Sequence, residues 1–234
     1  MLYMFTPLEE HPDKGFGAMA DSFEEAAKIL SKSENTLEKA HLPINYLRRH
    51  AIELFLKSII ILLHTKFEIP YGDNSDTSTP QVLVNDEWKP MNRIHSIRQL
   101  YIYFNSLLEG KKDYLKENTR TDWSLPNELQ TWINKIDGLD PKSTFFRYPI
   151  TRNKDRDCEK DTVVEKPMEE ILKMMDEDEN NINVFAQKDE AGNIVRTYAL
   201  EERQLEEMNE ILEKTVGTLY GCHAAIRYEL FGGY

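Results

Sequence analysis

One stretch constrains this chain more than any other: Leu42 to His64, LPINYLRRHAIELFLKSIIILLH. Leu47, Ala51, Leu54, Phe55, Ile59 and Leu62 recur at threes and fours, which predicts an amphipathic helix. Pro43 falls in its first turn, where a missing N–H costs no helical hydrogen bond, and the helix is expected to run to about Lys66. Into this apolar run the sequence sets Arg48, Arg49, His50, Glu53 and Lys57. Arg49, Glu53 and Lys57 stand one turn apart, so Glu53 can pair with the cation before it and the cation after it. Such a ladder is either a solvated face or a buried ion network. In the second reading Arg48 or Arg49 presents a planar fork to phosphate or carboxylate.

Other helices can be placed around it. The first is expected to begin near Asp21 or Ser22, with Phe23, Ala26, Ala27, Leu30 and Leu37 along one face and Glu24 and Glu25 at the positive end of its dipole. Between Pro70 and Pro90 lies a long connection with a short strand at Gln81 to Val84. A third helix is expected from Asn92 to Leu108, stopped by Gly110, and a fourth from Leu125 to Ile136, with Pro126 at its start. GLDPKSTFFRYPI reads as irregular. The last helix spans about Glu201 to Leu230, and its Gly217, Gly221 and Ala224 form a small-residue line that would admit a close neighbour. Glycine costs about 1 kcal/mol in a helix interior, so its placement there points to tight packing.

Residues 151–198 differ from the rest. They are highly charged, hold a short helix begun by Pro167, and end in a hairpin signature in which NINVFAQ and NIVRTYAL flank KDEAG. The expected architecture is all-α: one domain over 1–234, an up-and-down bundle of about five helices. Its 151–198 insertion carries a small β-hairpin and has too little apolar content for a core of its own.

Charge and motif content narrow the function. The net charge of −12 over 234 residues argues against whole-surface binding to nucleic acid or anionic membrane, and leaves room for a local basic pocket. Arg152, Lys154, Arg156 and Lys160 alternate with Asp155, Asp157, Glu159 and Asp161, the pattern of a solvated loop. Cys158 and Cys222 fit no metal spacing and no disulfide framework, so free thiols in a reducing compartment are expected. The start of the chain has no signal-peptide pattern, and the longest apolar run, Ser58 to Leu63, falls far short of the roughly 20 residues that span a bilayer. A cytoplasmic location is expected. No P-loop, GxGxxG, GxSxG, HExxH or CxxC occurs, and Asp176 to Glu179 lacks the glycine and spacing of a calcium loop. Neither a metal nor a cofactor is implied.

Two further residues stand out. His95 opens the third helix, with Arg98 on its next turn. Arg147, in FFRYP, sits among aromatics, where an arginine stacks, pairs with a buried carboxylate such as Glu53, or binds an anion.

YLRRHAIELFLKSIIILLH, the HSIRQL that opens the next helix, and the later FFRYP together resemble the HEPN superfamily of small helical-bundle proteins. The likeness covers residues 20–150 and the final helix. It implies a bundle that dimerises and acts on, or binds, RNA or nucleotides, in bacterial toxin–antitoxin or antiviral systems, sometimes beside a nucleotidyltransferase-type partner encoded in the same operon. Family nucleases place four to six residues between an arginine and the histidine that follows it. Here no histidine has an arginine so placed; Lys57 before His64 comes nearest. The expected function is therefore a homodimeric binding or interaction module, with Arg48, Arg49, His50, His95 and Arg147 gathered around an anionic ligand. The alternative is a metal-independent RNase in which His50 or His95 moves the proton and Arg49 or Arg147 steadies the phosphate. A purely structural assembly partner is the third reading.

Overall fold

The computed structural model describes residues 6–32, 41–72, 79–177, 183–200 and 205–233. The chain divides into two compact units, Met1–Tyr148 with Glu207–Tyr234, and Pro149–Glu206. The larger unit contributes α1 (Phe16–Ser31), α2 (His41–Lys66), β1 (Gln81–Val84), β2 (Glu87–Pro90), α3 (Ile97–Gly110), α4 (Lys112–Asn118) and α5 (Leu129–Leu139). The smaller unit adds α6 (Lys154–Asp157), β3 (Val163–Glu165), α7 (Met168–Glu177), β4 (Val184–Lys188) and β5 (Ile194–Leu200). The larger unit then closes with α8 (Glu206–Phe231).

This corrects the expected all-α bundle of about five helices. Among the described residues there are eight α-helices and five strands in two antiparallel sheets, so the fold is mixed. The β1–β2 hairpin went unforeseen because only its first strand has a β-like sequence. Asn85 and Asp86 both take left-handed backbone (φ 51 and 62), a two-residue turn that folds Glu87–Pro90 back onto Gln81–Val84. In the smaller unit the expected β4–β5 hairpin is joined by β3, giving the order β3-β5-β4. Val163–Glu165 is too short to betray a strand before its partner is known. The helix α7 follows Pro167 and buries Ile171 in that unit.

The core is organised around α2. Every residue from Ala51 to His64 is buried, so α2 is enclosed on all sides and does not lie half in solvent as its apolar stripe predicted. The helices α1 and α3 pack against it. Farther along the chain, α8 meets it through Phe55, which sits edge-on to Tyr220 at 6.0 Å and tilted to His223 at 5.4 Å.

Helix starts also moved. Asp13 caps α1 by accepting the N–H groups of Gly15 (3.0 Å) and Gly17 (2.7 Å), so Asp21 and Ser22 lie inside the helix and not at its start. Gly15, at φ 81, supplies the left-handed residue that the cap needs. Ser96 caps α3 by accepting from Gln99 N–H at 3.2 Å, which leaves His95 outside the helix, just before its cap. The fourth expected helix begins at Leu129, later than Leu125, and α4 was not foreseen. Leu37 and residues 201–204 of the expected last helix lie outside the described residues. On α8, Gly217 and Gly221 are exposed, and no described neighbour outside their own helical turn lies within 4 Å of the Cβ either would carry, so the close packing expected along this line is not found among the described residues.

Candidate functional site

Inside α2 the ladder read from the sequence is real and buried. Glu53 accepts from Arg49 Nη1 at 2.6 Å and from Lys57 Nζ at 2.7 Å. Burial alone would raise the Glu53 carboxyl, but the charges of Lys57 and Arg49 outweigh it and hold the group below the usual carboxylate range. A third partner comes from outside the helix: His95 Nδ1 lies 3.1 Å from Glu53 Oε1, while its side chain stays 51% exposed. An ionised Glu53 can only accept, so Nδ1 carries the hydrogen and Nε2 is left as the basic nitrogen of the ring.

Arg49 is wholly enclosed, at 0% exposure. Its Nη2 donates to the carbonyl oxygens of His95 and of Asp140 (3.2 Å for the latter), and its Nε faces Asp140 Oδ2 at 3.5 Å. Asp140, the residue that ends α5, in turn accepts the N–H groups of Thr144 (2.6 Å) and Phe145 (3.0 Å) on Oδ1. These bonds fold the irregular FFRYP segment back toward α2.

There Arg147 lies over the Tyr46 ring, 5.4 Å from its centroid, and 5.9 Å from that of Tyr148. Its Nη2 donates to the Tyr46 hydroxyl at 3.3 Å. Among the described residues no carboxylate forms an ion pair with Arg147. His50 stacks parallel to Tyr46 at 6.0 Å and meets Phe23 edge-on at 4.5 Å. Burial pushes the His50 pKa down; Glu53 opposes that, while Arg49, Lys57 and Arg147 add to it. Its Nδ1 is buried, with no hydrogen-bond partner among the described residues.

Tyr46, His50, Glu53 and Lys57 therefore follow one stripe of α2 at successive turns, with Tyr46 and Glu53 about 10 Å apart along the axis. Of the five expected site residues, His50, His95 and Arg147 converge on this stripe at or near the surface. Arg49 lies beneath it and is closed to any ligand, which corrects its expected role as an anion-binding fork. Arg48 turns elsewhere: its Nη2 meets Glu213 of α8 at 3.1 Å, and its charge acts on Glu24 of α1. Nor does Arg147 pair with Glu53. The sequence reading missed Tyr46 and Asp140. Tyr46 stood one turn before His50, and Asp140 opens a DPKST run suited to capturing its own following amides.

A second polar cluster lies deeper. Ser58 Oγ donates to Asp13 Oδ2 at 2.5 Å, and His223 Nε2 stands 3.6 Å from the same oxygen. Burial would raise Asp13, but His223, Ser58 and the Gly17 N–H outweigh it and hold its pKa at about 2. All three side chains are sealed from solvent. Both cysteines are free, and no group of side chains among the described residues is arranged to hold a metal ion. No helix among them is long and apolar enough to cross a membrane.

No family model matches this chain, and neither a curated protein nor a solved structure does, so the functional reading rests on the α2 stripe and the groups around it.

Proposed function

We propose that this chain is a binding module for an anionic ligand, a nucleotide or an RNA phosphate, with Arg147, His50 and His95 as its contact residues. The single observation that carries this reading is Arg147. In a chain of net charge −12, this exposed cation has no carboxylate partner among the described residues and is held over a tyrosine ring. A guanidinium fixed in this way offers a planar fork to phosphate, and Tyr148 beside it offers a face on which a base can stack. The HEPN-like order of motifs supports a homodimer, or a pairing with a nucleotidyltransferase-type protein, in a bacterial stress or antiphage setting within the cytoplasm. The test is fluorescence polarisation with labelled single-stranded RNA and with a nucleoside triphosphate. Arg147→Ala should weaken binding about tenfold or more, some 1.4 kcal/mol, and Arg147→Lys should recover part of it. Wild-type protein that binds neither probe, or an Arg147→Ala protein that binds as well as wild type, sinks the reading.

A second reading, a metal-independent RNase, is favoured by the His95–Glu53 pair, in which a buried carboxylate orients an exposed imidazole. Labelled RNA incubated with the protein in chelator decides it. Cleavage must occur and must vanish in His95→Ala.

A further inference from the structure

We infer that the buried Arg49–Asp140 pair is a positioning strut that sets both Arg147 and His95 from one guanidinium. Its functional consequence rests on the ligand site proposed above, whereas the strut itself rests on contacts within the fold.

Arg49 reaches acceptors on three separate segments: Glu53 of α2, the His95 carbonyl just before α3, and the carbonyl and carboxylate of Asp140 at the end of α5. A guanidinium is planar and its N–H directions are fixed, so these segments are locked in a common orientation, which a lysine could not impose. On one side, Arg49 holds the backbone of His95 while Glu53, itself held by Arg49, takes the His95 ring nitrogen. Backbone and ring are thus both anchored, while about half of the imidazole side chain faces solvent.

On the other side, residues 141–148 belong to no helix or strand. Ser143 there takes a left-handed backbone at φ 57, which a non-glycine residue adopts only when its surroundings enforce it. The enforcement comes from Asp140 Oδ1, which captures the next two amides, Thr144 and Phe145. A further bond from Tyr148 N–H to the Thr144 carbonyl (3.1 Å) completes the turn. Arg147 rides on that turn and so arrives over Tyr46.

Two variants test the strut. Asp140→Ala removes both the amide acceptor and the charge facing Arg49; Asp140→Asn keeps an acceptor oxygen and removes only the charge. The first readout needs no ligand: the upfield shift of the Arg147 side-chain protons caused by the Tyr46 ring, identified by its loss in Tyr46→Leu. It should vanish in folded Asp140→Ala and shrink in Asp140→Asn, with the His95 ring signals moving in the same variants. The second readout is a double-mutant cycle on RNA binding. Asp140→Ala should weaken binding about tenfold alone and less than about twofold in an Arg147→Ala background. If Asp140→Ala fails to fold, Asp140→Asn carries both readouts. An Arg147 shift unchanged in a folded variant overturns the strut, as does a binding loss that persists undiminished without Arg147. Should Arg147→Ala leave RNA binding untouched, the binding module falls, and the proton shifts still judge the strut.

Discussion

Within five residues of each other, α2 carries two buried polar clusters, one centred on Glu53 and one where Ser58 meets Asp13. Glu53 is surrounded by donors: the cations Arg49 and Lys57 and the His95 imidazole all reach it, and Arg49 continues to Asp140. Asp13 is held by His223 on one side and by a hydroxyl and two backbone amides on the others. Both arrangements compensate a carboxylate that burial would otherwise neutralise. They differ in closure. The Asp13 cluster is complete and sealed, and it ties the start of α1 to α2 and α8. The Glu53 cluster opens to solvent through His95. Compensation is common to both clusters; a partner held out into water distinguishes the Glu53 cluster from the sealed one.

That contrast can be broken in three places. The largest effect is expected from Glu53→Gln, which removes the carboxylate paired with buried Lys57 and leaves Arg49 with Asp140 alone. Urea unfolding should show a loss of about 3–5 kcal/mol. A loss below about 1 kcal/mol would mean that Asp140 suffices and that Glu53 is no structural centre.

Next is the acid response of the sealed cluster. The pKa of Asp13 is about 2 in the folded chain against an ordinary 3.8, so its contribution is fully present above the ordinary value and is lost as pH falls toward 2. Wild-type stability should drop by on the order of 2 kcal/mol through this window, and Asp13→Asn should flatten that part of the profile. Equal acid sensitivity in both proteins would shift the effect to other carboxylates.

His95→Ala should do least. Being half exposed, it should change stability by less than about 1 kcal/mol. A larger loss would make His95 part of the framework and remove the distinction between the two clusters.

Local spacing was legible. The Arg49–Glu53–Lys57 ladder follows from residues one helical turn apart, and α2, α3, α7 and the β4–β5 hairpin follow from periodicity and turn residues. His50, His95 and Arg147 could be chosen by residue type. The partners of His95 and Arg147 could not, because those contacts cross the chain: His95 to Glu53 spans 42 positions and Arg147 to Tyr46 spans 101, just as Ser58 to Asp13 spans 45. The second strand of the first hairpin was hidden for a related reason, since EWKP becomes a strand only once Asn85 and Asp86 turn it onto its partner.

By itself, then, the sequence determined where the polar groups of α2 stand and which of them share a stripe, because a helix has a fixed period. Only the tertiary structure decided which side of that stripe meets water. Packing of α1, α3 and α8 around α2 buried Arg49, Glu53 and Lys57 and turned Arg48 toward Glu213. The turn after α5 then brought Arg147 to the surface end of the same stripe. Burial is set by neighbours distant in the chain, and no local period encodes them.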